Sequence, residues 1–322
     1  MVTRNRLASL AFLFPGQGSQ FYGMGAELLA KRKDLLRLLK SWEERTNVKL
    51  VYLLTKAGED ELKQTQNTQP AICAFSLLLV KVLEEEGLFP SAVAGHSLGE
   101  YTALACAGAL SAPSAIALAA TRGALMAKAV ENVRTGMAAV IGLSPQKIAI
   151  HIRGLDNVWI ANYNSPLQTV IAGEENALEV AIGMLKDEGA KRVIRLNVSG
   201  AFHTPFMEPA KEQLALALDN YSLKDAKVPV YTNVDARPHV KRGALKTKLL
   251  NQLVAPVKWQ QLVQRMIHDG YRILVEIGPK KTLAGLVKEI DPTVEVMNVN
   301  SLESALNVCR WVASPYTSYM AR

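Results

Sequence analysis

The pentapeptide GHSLG at 95–99 constrains this chain more than any other stretch. A run of small residues over 91–95 predicts a buried strand before it, and an alanine-rich stretch over 100–110 predicts a helix after it. The pattern G-x-S-x-G between a strand and a helix is typical of a nucleophile elbow, a tight turn that exposes a serine. The helix N-terminus there favours a developing oxyanion. Ser97 is therefore a candidate nucleophile, and a chance glycine-serine loop is the alternative.

Strand and helix patterns alternate on both sides of this motif, which predicts an α/β fold with a mostly parallel sheet. Upstream, an apolar strand over 10–14 ends at a Pro-Gly turn, and helices are expected over 25–39 and 69–86. The elements expected further along are helices over 114–130, 205–220, 245–253, 257–268 and 282–290, strands over 228–231 and 273–277, and a helix from 301.

The middle of the chain has a different order of elements. They are a strand over 137–143, a helix over 144–154, strands over 158–163 and 169–172, a helix over 176–187 and a strand over 192–198. This β-α-β-β-α-β order is that of the ferredoxin-like motif. Because the α/β pattern resumes afterwards, we expect a ferredoxin-like subdomain, 135–199, inserted into a larger discontinuous one, 1–134 and 200–322.

Length and composition fit a globular protein, with 322 residues of which 49 % are hydrophobic and 20 % charged. No apolar run reaches the roughly 20 residues that span a bilayer. The run over 1–14 has the basic residues and apolar stretch of a weak signal peptide, but FPGQGSQ stands where a cleavage site would lie. We therefore interpret it as the first core strand and expect a cytoplasmic protein that binds no membrane.

The formal net charge is +8, which suits an acidic partner such as an acidic carrier protein or a phosphorylated cofactor. No arginine-rich tract or nucleic-acid motif is present, so nucleic acid is not expected. The basic residues Lys191, Arg192 and Arg195 could form a docking patch or a solvated strand edge. The chain has three scattered cysteines, Cys73, Cys106 and Cys309. Neither a disulfide framework nor a metal site is therefore expected.

A serine nucleophile needs a base, and the chain has five histidines. His203 is favoured because it lies in a loop that enters a helix just after the expected insertion, and such loops often carry catalytic groups. His96 adjoins Ser97, and we expect it to point away from the serine and brace the turn. The remaining three have no supporting motif: His151, His239 and His268.

Two further positions are candidates for substrate binding. Gln17 lies between two glycines in the loop after the first strand, where the backbone can approach a ligand and help to form an oxyanion hole. That loop lacks the lysine of a phosphate-binding P-loop, and a plain turn is the alternative. Arg122 interrupts an otherwise apolar helix. It could form a structural ion pair or bind a carboxylate with both arms of its guanidinium group.

Short motifs in a fixed order cover nearly the whole chain, and together they are more specific than any one of them. They are FPGQGSQ (14–20), QPA (69–71), GHSLGEY (95–101), RG (122–123), GMAAVIGL (136–143), NSPLQTVIAG (164–173), SGAFHTPFM (199–207), TNVDARP (232–238), PVKW (256–259) and EIGP (276–279). This set resembles the malonyl-CoA:acyl carrier protein transacylase family, including the stand-alone acyltransferases of polyketide synthases.

The resemblance implies an α/β-hydrolase-like core with a ferredoxin-like insertion, which agrees with the pattern above. It implies that Ser97 is the nucleophile and that His203 is the general base and later the general acid. Gln17 and the backbone N–H of Leu98 would form the oxyanion hole. Arg122 would bind the free carboxylate of the malonyl group.

The resemblance also implies roles for two residues near the histidine. Gln252 matches the position whose oxygen orients the histidine, so a dyad without an acidic third member is expected. Phe202 adjoins His203, and in related polyketide acyltransferases a phenylalanine there accompanies malonyl units, whereas a serine accompanies branched units. Leu98 also resembles malonyl-type sequences. We therefore expect malonyl to be preferred over methylmalonyl.

The implied activity is ping-pong transfer of a malonyl group from malonyl-CoA to the phosphopantetheine thiol of an acyl carrier protein, through a malonyl-seryl enzyme. No permanently bound cofactor or metal is expected, and the family is mostly monomeric. The alternative is an acyl hydrolase or editing thioesterase of the same fold, which would have no use for a cation at Arg122. An inactive scaffold is disfavoured because all candidate residues are present. Fatty acid and polyketide synthesis remain equally open as pathways.

Overall fold

The computed structural model describes residues 7 and 9–314. In this part of the chain ten strands form two sheets. The strands are β1 (Leu10–Phe14), β2 (Ala92–Gly95), β3 (Thr135–Ile141), β4 (Val158–Ser165), β5 (Gln168–Glu174), β6 (Arg192–Arg195), β7 (Val230–Tyr231), β8 (Pro238–His239), β9 (Ile273–Ile277) and β10 (Glu295–Val299). The expected α/β fold is confirmed.

Helices lie between and around these strands. They are α1 (Ala26–Lys31), α2 (Lys33–Thr46), α3 (Leu50–Thr55), α4 (Glu59–Lys63), α5 (Thr65–Glu85), α6 (Gly99–Cys106), α7 (Ala112–Ala129), α8 (Pro145–Ile152), α9 (Glu175–Asp187), α10 (Glu208–Leu218), α11 (Arg242–Asn251), α12 (Trp259–His268), α13 (Leu283–Ile290) and α14 (Leu302–Ala313). A 3₁₀ turn, Pro205–Met207, precedes α10. No described helix has the length and apolar character needed to cross a bilayer.

The larger sheet has the strand order β10-β9-β1-β2-β7-β8, with every pair parallel except β7 and β8. Its central strand β1 is fully buried, and its side chains alternate between two cores. Leu10 and Phe12 face α5 and α7, whereas Ala11 and Leu13 face α12 and α13. Burial on both faces explains why this strand reads as a continuous apolar run.

The smaller sheet has the order β4-β5-β3-β6 and is antiparallel throughout. With α8 and α9 it has the element order and pairing of a ferredoxin-like unit, as expected. Ala138 and Val140 of β3 pack under these two helices, whereas Met137 and Ala139 face the larger unit. Backbone hydrogen bonds between β4 and the segment before α12 join the two parts. The exact ranges 1–134, 135–199 and 200–322 stay predictions.

Several elements differ from the sequence-based expectations. The helix expected over 25–39 is two helices, because the backbone at Arg32 leaves the helical region, with φ −118° and ψ 86°. The short helices α3 and α4 and the strand β10 were not predicted. β10 is a half-exposed edge strand and lacks a continuous apolar pattern. The expected helix over 205–220 begins as the 3₁₀ turn at Pro205.

The parallel pairing of β1 and β2 determines where the candidate site lies. Phe14 and Gly95 are register partners at the carboxyl ends of β1 and β2. The loop that contains Gln17 and the turn that contains Ser97 therefore leave the same edge of the sheet side by side. Ligand sites of open α/β sheets commonly lie at this edge.

Candidate active site

The turn between β2 and α6 is a sharp one that only its two glycines allow. A Cβ on Gly95 would lie 1.9 Å from the carbonyl carbon of Gly99, and a Cβ on Gly99 would lie 2.1 Å from the Phe14 carbonyl oxygen. Ser97 between them has φ +52°, in the left-handed region that costs a non-glycine residue about 1–3 kcal/mol. This geometry is that of a nucleophile elbow.

His203 lies beside the serine. Its Nε2 is 2.7 Å from Oγ of Ser97, and its Nδ1 is 2.7 Å from the backbone carbonyl oxygen of Gln252. A carbonyl can only accept, so Nδ1 carries the ring proton and Nε2 offers its lone pair to the serine hydroxyl. His203 itself has φ +62° and is 4 % exposed.

The electrostatic surroundings keep this imidazole neutral. Burial, with the nearby Arg122 cation as the second cause, lowers the pKa of His203 to about 3. Desolvation disfavours the charged ring, and a neighbouring positive charge acts in the same direction. His203 is therefore an unprotonated base at neutral pH.

Arg122 reaches the serine from α7. Its Nη2 donates to Oγ of Ser97 and to Oε1 of Gln252, each at 3.0 Å, and its Nη1 donates to Oε1 of Gln69 at 2.8 Å. The side chain is 1 % exposed, and its guanidinium carbon lies 5.7 Å from the centre of the Tyr101 ring. None of the ion pairs among residues 9–314 includes Arg122. The structural ion pair that the sequence left open for Arg122 is therefore not formed within this part of the chain.

Two backbone N–H groups, of Leu98 in the elbow and of Gln17 in the loop beside it, are the candidates for an oxyanion hole. Leu98 is the N-cap residue of α6, and Gln17 follows β1. Neither N–H donates to a described residue. The side-chain amide of Gln17 instead donates to Oγ1 of Thr65 at 3.3 Å. The Gln17 loop packs closely on the elbow, because a Cβ on Gly16 would lie 2.7 Å from the His96 carbonyl oxygen.

A cavity of about 570 Å³ opens between the two sheets above these groups. Gln17, Ser97 and His203 line it, and Phe202 forms part of its wall. Apolar side chains of the smaller sheet and of α13 line the opposite sides: Met137, Ala139, Val170, Leu283 and Leu286. A mixed polar and apolar cleft of this size is typical of a small-molecule site.

His96 also lines this cavity. Its Nε2 lies 3.0 Å from Oδ1 of Asn164, and its ring meets Trp259 edge to face at 5.4 Å. His96 thus connects the elbow to β4 of the smaller sheet. The other histidines lie elsewhere: His151 pairs with Glu188 and His239 with Asp235.

Three buried polar residues of this site were not singled out in the sequence analysis: Gln69, Glu100 and Asn233. Gln69 binds Arg122, while Glu100 and Asn233 lie behind the elbow. Each belongs to a recognised motif, QPA, GHSLGEY or TNVDARP, and that membership was the only available signal.

Comparisons with known proteins agree with this geometry. A family model described as acyl transferase domain matches residues 11–307. The malonyl CoA-acyl carrier protein transacylase of Bacillus subtilis is 39 % identical over 311 residues, which cover 94 % of this chain and 98 % of that protein. The transacylase of the same name from Escherichia coli is 37 % identical over 298 residues, which cover 91 % of this chain and 96 % of that protein.

Solved structures show the same likeness. The malonyl CoA-acyl carrier protein transacylase of Coxiella burnetii superposes with a TM-score of 0.91 at 37 % identity, covering 95 % of this chain and 98 % of that one. A malonyl-transacylase in complex with a type II PKS acyl-carrier protein superposes with a TM-score of 0.90 at 37 % identity, covering 94 % and 99 %. This chain is an acyltransferase that belongs to the acyl transferase domain family, with malonyl CoA-acyl carrier protein transacylases as its relatives.

Proposed function

We propose that this enzyme transfers a malonyl group from malonyl-CoA to the thiol of an acyl carrier protein, through a malonyl ester of Ser97. The observation that carries this proposal is the contact of a buried, unpaired cation, Arg122, with a serine hydroxyl that is already bonded to a neutral histidine. The names of the relatives support the same donor and acceptor.

In the first half-reaction, Nε2 of His203 takes the proton of the Ser97 hydroxyl while Oγ attacks the thioester carbonyl carbon. The backbone N–H groups of Leu98 and Gln17 stabilise the oxyanion. The carbon–sulfur bond then breaks, and His203 returns the proton to the CoA thiolate. The Gln252 carbonyl accepts from Nδ1–H of His203 before and after this proton transfer and so holds the ring in place, instead of an acidic third member.

In the second half-reaction, the phosphopantetheine thiol of the carrier protein gives its proton to His203 and attacks the malonyl-seryl ester. The bond between the acyl carbon and Oγ then breaks and His203 returns the proton to Oγ, which restores the Ser97 hydroxyl and leaves a malonyl thioester on the carrier protein. The free malonyl carboxylate binds Arg122 in both half-reactions. A charge-assisted pair in a buried site fixes the position of the acyl group and distinguishes it from a neutral acyl chain.

Phe202 is the proposed basis for a preference for malonyl over methylmalonyl. It is 6 % exposed and lies in the cavity wall beside the histidine. A bulky ring there leaves little room for a methyl group on the carbon between the two carbonyls. One methyl group against such a wall is worth about 1–3 kcal/mol, so the discrimination is partial.

The finer features of the proposal come from the sequence and from what the resemblance to the transacylase family implies. The carrier protein is acidic, which matches the net charge of +8. No permanently bound cofactor takes part, and the enzyme acts as a cytoplasmic monomer in fatty acid or polyketide synthesis. We also propose the inserted subdomain 135–199, because strands β3 to β6 form a sheet of their own.

The test is the intact mass of the enzyme after mixing with malonyl-CoA, for the natural chain and for Ser97→Ala. We expect a gain of one malonyl group that is absent in the variant and that moves to a holo acyl carrier protein when this is added. Release of free malonate and CoA without a durable adduct would instead support the hydrolase.

A further inference from the structure

A buried carboxyl group behind the elbow has no part in the reaction described above. Glu100 lies in the first turn of α6 and is 2 % exposed. Its Oε1 accepts from the backbone N–H of Asn233 at 2.5 Å, and its Oε2 accepts from the side-chain amide of Gln252. Burial raises the pKa of this carboxyl to about 8, against the lowering effect of both donors and of Arg122. A buried carboxyl group is costly unless its oxygens are hydrogen-bonded, and both oxygens of Glu100 are.

The first contact leads to the serine. Asn233 is fully buried, and its Oδ1 accepts from the backbone N–H of Ser97 at 2.7 Å. Its Nδ2 donates to the Gly95 carbonyl oxygen at 2.7 Å. These two hydrogen bonds join the side chain of Asn233 to the backbone of the strained turn at Ser97 and at Gly95. Because Glu100 accepts from the backbone N–H of Asn233, it holds Asn233 in place. The side chain of Asn233 in turn holds the backbone of the elbow.

The second contact leads to the histidine. The amide of Gln252 lies between the buried Arg122 cation and the buried Glu100 carboxyl group, with its Oε1 toward Arg122 and its Nε2 toward Glu100. Because the guanidinium group can only donate, it fixes the amide oxygen toward Arg122 and therefore the NH₂ group toward an oxygen of Glu100. The same Nε2 donates to the Ser97 carbonyl oxygen at 2.9 Å, while the Gln252 backbone carbonyl accepts from His203.

We propose that Glu100 is a positioning residue that couples the two halves of the Ser97–His203 pair, through Asn233 on the serine side and Gln252 on the histidine side. It acts on the reacting atoms through these two intermediaries. The inference rests on the proposed function only for the identity of the acyl donor. Its physical basis is that a misplacement of about 1 Å between reacting groups can cost about 10²-fold in rate.

Three substitutions test Glu100 and its connection to the serine through Asn233, and a fourth controls for general stability. Glu100→Gln keeps the volume but places one N–H donor against an NH₂ group, and Glu100→Ala removes both acceptors. Asn233→Ala keeps the backbone N–H that binds Glu100 but removes the acceptor for the Ser97 N–H. The matched control is Leu39→Ala, which removes a fully buried side chain of α2 outside this network.

The experiment measures how fast Ser97 reacts with a neutral fluorophosphonate, which forms an Oγ–P bond and releases fluoride, by intact mass. Malonylation by malonyl-CoA is followed in parallel, below the melting temperature of every variant. We expect Glu100→Gln and Asn233→Ala to slow both reactions by about 10- to 100-fold. We expect Glu100→Ala to slow them further, and Leu39→Ala to lower the melting temperature with both rates retained.

Two results would overturn the inference. One is an unchanged rate of fluorophosphonate labelling in folded Glu100→Gln. The other is an equal decrease in that rate in Leu39→Ala and in the Glu100 variants at the same melting temperature. The fluorophosphonate carries no carboxylate and does not test the acyl donor. If the natural chain reacts with it but is not malonylated, the proposed function fails, while the comparison of variants still decides the role of Glu100.

Discussion

Nη2 of Arg122 lies 3.0 Å from Oγ of Ser97, so the buried cation of this site contacts the candidate nucleophile directly. The same nitrogen contacts Oε1 of Gln252 at an equal distance. All three hydrogen-bond partners of the guanidinium group are neutral. A substrate carboxylate would supply the counter-charge that residues 9–314 do not place within ion-pair distance.

Replacement of this cation should change which acyl group is accepted. Arg122→Met keeps much of the length and loses the charge, and we expect kcat/KM for malonyl-CoA to fall by about 30-fold to several thousand-fold, since breaking a buried charge pair costs about 2–5 kcal/mol. The kcat/KM for acetyl-CoA, which has no free carboxylate, should fall much less. Steady-state kinetics with both donors measure the ratio, and equal losses would contradict carboxylate binding.

The low pKa of His203 has two consequences for pH dependence. The ring stays neutral in the folded protein down to a pH of about 3, whereas in the unfolded chain it takes up a proton near 6.5. The unfolded state therefore binds more protons below pH 6.5, and this residue lowers stability as the pH falls. The contribution is about 1.4 kcal/mol per pH unit between these values.

Urea unfolding between pH 4 and pH 8 should therefore show a smaller acid loss of stability in His203→Gln than in the natural chain. The pH profile of the rate of Ser97 malonylation should also show no transition with an apparent pKa near 6.5. A decline in rate centred at that value would mean that the histidine titrates normally.

Phe202, which lies in the cavity wall beside His203, should determine how strongly a methylmalonyl group is excluded. Phe202→Ser opens this part of the cavity, and we expect the preference for malonyl-CoA over methylmalonyl-CoA to fall by about 5- to 150-fold, which corresponds to about 1–3 kcal/mol. Competition between the two donors, read by intact mass, measures the preference. An unchanged preference would move the selection of the acyl group to another part of the cavity.

The glycine that ends the elbow should not tolerate a methyl group. Gly99→Ala would place a Cβ 2.1 Å from the Phe14 carbonyl oxygen, so we expect a loss of at least about 3 kcal/mol in the free energy of unfolding. Gly183→Ala is the matched control, because no heavy atom lies within 4 Å of its added Cβ on the exposed side of α9. It should raise stability by about 0.5–1 kcal/mol. Equal effects at both positions, measured by urea unfolding, would contradict the close approach.

Local patterns in the sequence determined much of this protein. The elbow at Ser97 depends on a strand, two glycines and a helix within a few residues, and the alternation of elements predicted both the α/β core and the ferredoxin-like unit. The motif order predicted the family. These features could be predicted because each depends on neighbours along the chain or on residues that recur together.

Tertiary structure alone decided how distant groups meet. The resemblance assigned an oxygen of Gln252 to the histidine, but nothing near Gln252 in the sequence shows that its side-chain amide lies between Arg122 and Glu100. The role of Asn233 behind Ser97 was equally hidden, because 136 positions separate them. Hydrogen bonds between buried polar groups depend on distance and direction in space, and the packing of β2, α7 and α11 sets these without leaving a periodic signal in any one segment.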